Sequence, residues 1–225
     1  MIASTPPTDI HNAQVLEALP ANVRKVVEVG TGTGALAREI LRKRPEIDYV
    51  GVEISNDYQS VAKAWCSRTY LENFEQASSV LMDELRDTDT VIFADVLEHF
   101  VDPWTVLSRL RTVIPNHAVI IASIPNIQHW SMQLRLMNGD FRYADSGLLD
   151  RTHLRFFTRQ TIIEMFTGCG FRIDTLVPRI FAFPHQEEML QKIAQMSLLC
   201  GIDAQTALQD AAAFQYVVSA SVEPV

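Results

Sequence analysis

The segment that most strongly indicates how this chain folds is Val26-Val27-Glu28-Val29-Gly30-Thr31-Gly32-Thr33-Gly34-Ala35-Leu36-Ala37. An apolar, β-branched run leads into three alternating glycines, and a helical pattern follows them. This order is typical of a buried strand that turns tightly into a helix whose first amides face a ligand. Glycine suits such a turn because it adopts unusual backbone angles and carries no Cβ to block the ligand. The loop therefore predicts a nucleotide-like cofactor.

Two carboxylates help to choose among such cofactors. Glu28 stands directly before the loop, and Glu53 ends the next apolar run, where the dinucleotide-binding pattern places a ribose-binding acid. The glycines also satisfy the looser form of that pattern. A carboxylate beside the loop, however, repels a pyrophosphate and attracts a cationic cofactor. Glu28 and the third glycine, Gly34, therefore favour S-adenosylmethionine over NAD, and an NAD-dependent oxidoreductase is kept as an alternative.

Composition limits the classes of protein to which the chain can belong. With 225 residues, 48% of them hydrophobic and 20% charged, it is expected to form one globular domain over residues 1–225, with residues 1–22 as an N-terminal extension or helix. The net charge of −8 argues against nucleic acid as a partner. Three widely separated cysteines and the lack of a leader pattern predict a cytoplasmic protein. No apolar run is long enough to cross a bilayer, and a homodimer is left open.

Strand and helix patterns alternate along the chain. Strands are predicted at residues 24–29, 48–53, 90–94 and 117–123, with a weak one at 77–81, and helices at 34–43, 57–70 and 103–113. Such alternation predicts a parallel sheet with helices on both faces. Two more strands, at 171–177 and 214–221, flank a helix at 186–199, whose methionines we interpret as part of a core stripe.

The connection over residues 125–157 is long for a compact domain, and it is predicted to form a lid with its own helix at 131–137. Aromatic side chains in the connection, among them Trp130 and Tyr143, suit stacking on a sugar or another ring. Asn126 and His129, near its start, are expected to reach the acceptor if the lid covers the site. We refer to residues 125–157 as the insertion.

Three segments in order carry a resemblance to a known family. They are Glu28-Val29-Gly30-Thr31-Gly32-Thr33-Gly34, Gly51-Val52-Glu53-Ile54 and Phe93-Ala94-Asp95-Val96-Leu97-Glu98-His99. Together they resemble the class I S-adenosylmethionine-dependent methyltransferases. The run from Asp95 to His99, with Asp102-Pro103 after it, resembles the branch that contains ubiquinone-biosynthesis-type O-methyltransferases. A later run, Gly147-Leu148-Leu149-Asp150-Arg151-Thr152-His153-Leu154-Arg155-Phe156-Phe157-Thr158, is similar to methyltransferases of bacterial surface-carbohydrate and glycan pathways.

The resemblance implies an α/β fold: a Rossmann-like, doubly wound, seven-stranded sheet, mostly parallel with the last strand antiparallel. It also implies a set of cofactor-binding residues, namely Glu28, Gly30, Thr31, Gly32, Gly34, Glu53, Ile54, Asp95 and Val96. Glu28 would lie near the amino group of S-adenosylmethionine, Glu53 would accept the ribose hydroxyls, and Ile54 would flank the adenine. Members of the family usually carry an acidic residue after strand three that meets the adenine amine. Here Ser79 and Asp83 both remain candidates for that place.

Methyl transfer to a hydroxyl requires a base, and histidine is the usual one near neutral pH. His153 is the first candidate and His99 the second, although a structural role for His153 beside Asp150 is an equal alternative. Arg151 and Arg155 are candidates to grip an anionic acceptor. No metal site is predicted because no ligand spacing such as H-E-x-x-H is present. An ion held by Asp95, Asp150 and His153 is kept as an alternative.

The sequence thus predicts an S-adenosylmethionine-dependent methyltransferase that O-methylates a small molecule or a sugar or glycan intermediate. One alternative is an N-methyltransferase of the same fold, which needs no strong base. Another is a relative that binds the cofactor without turnover, because a fold alone does not establish activity.

Overall fold

The computed structural model of the chain describes residues 11–223. Its strands are β1 (Lys25–Val29), β2 (Asp48–Glu53), β3 (Arg68–Leu71), β4 (Thr90–Ala94), β5 (Val119–Pro125), β6 (Phe171–Arg179) and β7 (Gln215–Val222). They form one sheet in the order β3-β2-β1-β4-β5-β7-β6. Neighbouring strands are parallel except where β7 pairs antiparallel with β5 and β6. The predicted seven-stranded, Rossmann-like sheet with an antiparallel last strand is therefore confirmed.

Helices of the described part connect these strands. They are α1 (Ala13–Glu17), α2 (Ala35–Lys43), α3 (Asn56–Ala62), α4 (Ser79–Glu84), α5 (Pro103–Arg111), α6 (Trp130–Met137), α7 (Arg159–Gly168), α8 (Gln186–Leu199) and α9 (Ala204–Ala212). Between residues 11 and 223, no helix has both the length and the apolar character needed to cross a membrane.

Apolar side chains cover both faces of the sheet, since successive residues of a strand point to opposite sides. In β4, Val91 and Phe93 belong to one buried cluster, while Ile92 between them belongs to another. The first cluster includes residues of α5 and α7, and the second includes residues of α1 and α2. The sheet thus lies between two helical layers. Loops cover the edge at which the carboxyl ends of the parallel strands lie, called here the carboxyl edge.

The third strand lies earlier in the chain than predicted. The helix expected over 57–70 ends at Ala62, and residues 68–71 form β3 instead. The segment predicted as a strand, 77–81, contains the start of α4, where the Ser78 side chain accepts a hydrogen bond from the amide of Leu81. β3 is a four-residue edge strand that pairs only with β2, and its side chains are partly or largely exposed. No apolar run marks such a strand.

The core stripe predicted for residues 186–199 is wrong in its outer half. In α8 Ile193 is buried, whereas Met196 is 44% exposed and Leu199 is 89% exposed. The helix instead packs through Ile193 and Leu190 against Ala207 and Ala211 of α9, a helix that we did not predict.

The insertion leaves and rejoins the sheet at neighbouring points. The amide of Ile127 donates to the carbonyl of Phe157 at 2.8 Å. Between these points the predicted helix is present as α6, and Met132, Leu148 and Leu149 form a small cluster of their own. The insertion is therefore a packed unit rather than a loose loop.

Candidate functional site

A cavity of about 650 Å³ opens at the carboxyl edge of the sheet. Residues that line it follow β1, β2, β3 and β4, and others come from the insertion and from the start of β7. The strand order reverses between β1 and β4, and open α/β sheets bind ligands at such a point. The volume falls within the range of about 300–1,000 Å³ that is usual for small-molecule sites.

The glycine loop forms the floor of this cavity. Gly30 has a φ of +70° and Gly32 a φ of +55°, angles that other residues rarely adopt. A Cβ on Gly30 would lie 2.5 Å from Cγ2 of Val96, so the loop contacts the end of β4 directly. The loop residues Gly30 and Gly32, and Val96 after β4, line the cavity; all three are residues for which we predicted cofactor binding.

Glu53 holds the loop against the end of β2. Its Oε2 accepts from the amide of Gly32 at 2.8 Å, and its Oε1 accepts from the amides of Ile54 and Ser55, both at 2.8 Å. Carboxylate oxygens have further lone pairs, so this group can still accept hydroxyl hydrogen bonds. Ile54 beside it is 70% exposed and lines the cavity.

Glu28 lies beneath the loop and not on the cavity wall. Its Oε2 accepts from the hydroxyl of Thr31 at 2.6 Å and from that of Tyr49 at 2.9 Å. Thr31 and Gly34 are also absent from the described cavity lining, and a Cβ on Gly34 would meet Trp65 at 3.0 Å. Glu28, Thr31 and Gly34 therefore support the glycine loop without lining the cavity. Burial raises the pKa of Glu28 to about 7.

The raised pKa of Glu28 predicts a pH-dependent stability that Glu28→Gln removes. A folded-state pKa of about 7 against an ordinary value of 4.5 favours the protonated form in the fold. The stabilisation is complete below pH 4.5 and is lost as the pH rises through 7, on the order of 3 kcal/mol in total. We expect urea unfolding of the wild type to weaken relative to Glu28→Gln across this range. Parallel pH curves for the two proteins would contradict this assignment.

The acidic residue that follows strand three is Glu72, so neither Ser79 nor Asp83 fills that place. Both lie in α4, outside the cavity lining of the described residues, and Asp83 pairs with Arg86. Glu72 comes directly after β3 and lines the cavity, and its carboxylate accepts from the amide and the hydroxyl of Ser78 at 2.8 Å each. The third strand was predicted at residues 77–81 instead of 68–71, so the acidic residue was expected too late in the chain.

Asp95 directly follows β4 and has a strained backbone conformation. Its φ is +58°, which is uncommon for a residue other than glycine and typical of functional positions. Its amide donates to Oγ of Ser123 at 3.0 Å, and its carboxylate accepts from Nε2 of Gln215. Gln215 in turn accepts from Nη1 of Arg179 at 2.9 Å. Asp95 lines the cavity, as predicted, and burial raises its pKa to about 6.

The two histidines predicted as bases meet in this cavity. The ring centroids of His99 and His153 are 4.9 Å apart, in an edge-to-face arrangement. Nδ1 of His99 contacts the carbonyl of Thr152 at 3.1 Å, and Nδ1 of His153 contacts the carbonyl of Leu148 at 3.3 Å. Burial lowers the pKa of both rings, so both are neutral near pH 7.

Glu98 completes this group, although no sequence pattern identified it as a site residue. It lines the cavity and its Oε1 lies 4.0 Å from Nε2 of His153. Burial, followed by the negative charge of Asp95, raises its pKa well above the ordinary value. The signal in the sequence was its place beside His99, directly after a buried strand.

Of three residues predicted to contact the acceptor, Asn126 and His129 are buried and Trp130 is half-buried. Asn126 is fully buried and donates to the carbonyls of Asp210 and Ala213 at 2.7 and 2.8 Å. His129 is buried and caps α6 through Nδ1, next to Trp130. None of the three is among the described residues that line the cavity, so they support the insertion and its junction with β7.

The remaining residues predicted to contact the acceptor are also not among the described residues that line the cavity. Tyr143 is exposed and packs edge-on against Phe141. Arg151 pairs with Asp145, while Nε of Arg155 donates to the carbonyl of Val101 at 3.0 Å. The same segment does contribute polar groups to the cavity lining that were not predicted as acceptor contacts, namely Ser146, Asp150 and Thr152.

Comparisons with known proteins agree on one family. A model of the methyltransferase domain family matches residues 10–176. The demethylmenaquinone methyltransferase of Thermotoga maritima is 27% identical over 175 residues, which cover 69% of this chain and 73% of that protein.

Two solved structures share the fold. An S-adenosylmethionine-dependent methyltransferase from Archaeoglobus fulgidus superposes with a TM-score of 0.62 at 17% identity, covering 93% of this chain and 91% of that one. Magnesium protoporphyrin IX methyltransferase from Synechocystis, solved with S-adenosylhomocysteine, superposes with a TM-score of 0.59 at 15% identity, covering 94% and 80%.

Proposed function

The chain belongs to the class I S-adenosylmethionine-dependent methyltransferases, and from this membership we propose that it O-methylates a small molecule or a sugar or glycan intermediate. The observation that carries this proposal is the pairing of two neutral histidines with Glu98 in the cavity that the glycine loop also lines. A hydroxyl acceptor must lose its proton, whereas an amine acceptor is already nucleophilic.

The residues of the loop side fit the cofactor. Gly30 must be glycine, since a Cβ would collide with Val96, and the absence of side chains there leaves room for a ligand. Glu53 offers buried carboxylate oxygens to the ribose hydroxyls, and Ile54 offers an exposed apolar surface to the adenine. When bound, S-adenosylmethionine supplies an electrophilic methyl group.

On the acceptor side, we propose that the histidine pair activates the hydroxyl. Each ring turns Nδ1 toward a backbone carbonyl, which assigns the hydrogen to Nδ1 and leaves a lone pair on Nε2. The lining residues Ser146 and Thr152 carry hydroxyls, and such groups suit the recognition of a polyhydroxylated acceptor. The insertion carries His153 and both of these residues, so we propose that it is the acceptor-binding part of the chain.

The test is methyl transfer from labelled S-adenosylmethionine to panels of hydroxylated sugars, phenols and amines. We expect hydroxyl acceptors to be methylated, and we expect His153→Ala to lower kcat by about 10²–10⁴-fold. S-adenosylhomocysteine should still bind to this variant within about threefold, because the group removed acts on the acceptor.

The matched control is His117→Gln. His117 is exposed and pairs with Asp89 near the start of β5, at the opposite edge of the sheet from the cavity. Its kcat should equal that of the wild type. Methylation of amines alone, at rates that His153→Ala leaves unchanged, would identify an N-methyltransferase instead.

A further inference from the structure

Glu98 is a buried carboxylate without a hydrogen-bond partner among the residues that the structure describes. It is 1% exposed, and neither Oε1 nor Oε2 has a hydrogen-bond partner among residues 11–223. Leaving such a group unsatisfied is costly, because burial removes the water that would otherwise solvate it. A bound ion is one of the ways in which a native fold supplies the missing interaction.

The two histidines lie beside each other, with ring centroids 4.9 Å apart, and both line the cavity with Glu98. Nδ1 of His99 contacts the carbonyl of Thr152, and Nδ1 of His153 contacts the carbonyl of Leu148. Histidines that bind a metal through one ring nitrogen commonly donate a hydrogen bond from the other nitrogen to a group of this kind. One donor atom from each of Glu98, His99 and His153 can be chosen so that all three lie within 4.8 Å of one another.

The spacing suits an ion between these groups. Nε2 of His153 and Oε1 of Glu98 are 4.0 Å apart, which is too long for a hydrogen bond. Two donors that share one ion through bonds of about 2.0–2.2 Å at a tetrahedral angle lie roughly 3.3–3.6 Å apart, so a movement of about half an ångström would bring these atoms to that separation. Asp95 and Asp150 lie close enough to Glu98 to add to the negative potential at this point.

We propose that Glu98, His99 and His153 bind one divalent transition-metal ion, such as Mn²⁺, Fe²⁺, Co²⁺ or Zn²⁺. Two imidazoles and one carboxylate leave coordination positions open for a substrate oxygen. Mg²⁺ fits less well, since it prefers oxygen ligands alone.

The inference rests on the proposed function, because the open positions would receive the acceptor hydroxyl. An oxygen bound to a divalent ion loses its proton more readily, so the hydroxyl binds as an alkoxide and its proton passes to solvent through the open cavity. His153 then acts on the acceptor as a metal ligand, and not by taking the proton itself.

The experiment is a titration of tag-free full-length protein with Mn²⁺ followed by electron paramagnetic resonance, with Zn²⁺ as a competitor. We expect one Mn²⁺ per chain, with nitrogen couplings from imidazole in pulsed spectra. Glu98→Gln and His153→Gln should each weaken Mn²⁺ binding by more than about 100-fold, a larger effect than the 10–100-fold typical of outer groups. His117→Gln, a histidine paired with Asp89 outside the cavity, should bind like the wild type.

S-adenosylhomocysteine binding and thermal melting are measured on the same preparations. A wild type that binds S-adenosylhomocysteine but neither Mn²⁺ nor Zn²⁺ would overturn the metal site and leave the proposed function intact. Binding of Mn²⁺ that the Glu98 and His153 variants retain would place the ion elsewhere and also overturn it. Site-dependent Mn²⁺ binding in a protein that transfers no methyl group to any hydroxyl would uphold the metal site and contradict the proposed function. If Glu98→Gln does not fold, the half-buried His99→Gln takes its place.

Discussion

Glu53→Ala is expected to weaken the binding of S-adenosylhomocysteine by at least about 100-fold. The substitution removes the proposed acceptor for the two ribose hydroxyls, and hydrogen bonds to a charged group contribute about 1.5–3 kcal/mol each. It also leaves the amides of Gly32, Ile54 and Ser55 without the oxygen that now holds them. Since each 1.4 kcal/mol corresponds to about tenfold in affinity, the combined loss exceeds two orders of magnitude. Isothermal titration calorimetry measures it.

Two variants separate these contributions. Glu53→Gln keeps an oxygen for Ile54 and Ser55 but turns an NH₂ group toward Gly32, so its affinity should fall between those of the wild type and Glu53→Ala. Glu46→Gln changes an exposed carboxylate that pairs with Arg44, and it should leave binding unchanged. Equal affinity of Glu53→Ala and the wild type would remove Glu53 from the cofactor site.

Gly30→Ala is expected to lower the free energy of unfolding by about 3 kcal/mol and the Tm by roughly 6–12 °C. The φ of +70° costs an alanine roughly 1–2 kcal/mol. The new methyl group also stands 2.5 Å from Cγ2 of Val96, an overlap that costs about 1–3 kcal/mol to relieve. Because relief requires the loop or the end of β4 to move, binding of S-adenosylhomocysteine should fall together with stability.

The matched control is Gly139→Ala, at the end of α6. Gly139 has a φ of +69°, but nothing lies within 4 Å of the place where its Cβ would be. This variant therefore measures the backbone cost alone, about 1 kcal/mol, with unchanged cofactor affinity. Calorimetric melting of both variants gives the difference. Equal losses for the two would show that Val96 yields freely and that the contact does not constrain the loop.

The parts of the fold that follow from local patterns were predictable from the sequence. β1, β2 and β4 are apolar runs that helices cover on both faces, and their bounds agree with prediction within one residue. β3 was not predictable from the sequence, because it is an edge strand whose stability comes from pairing with β2 and not from its own apolar residues. The residue after β3 was missed as a consequence.

The candidate site likewise contains residues whose positions were predictable from the sequence and residues whose positions were not. Gly30 and Asp95 follow β1 and β4, and Glu53 ends β2; the ends of these strands were correctly predicted, and all three residues line the cavity. Asn126 and His129 also follow a predicted strand, but the path of the insertion turns them inward. No local pattern specifies that path, since it depends on contacts with α9 and β7.

The position of β7 has a consequence for how the protein is made. β7 lies between β5 and β6, and it begins with Gln215, which holds Asp95 in the cavity. A ribosome releases β5 about ninety residues before β7, so during synthesis β5 presents an unpaired edge. The end of the sheet that β7 and β6 form, two of its seven strands, can therefore be added only after β7 has emerged. The contact between Gln215 and Asp95 therefore forms only after β7 has been synthesised and has paired with β5.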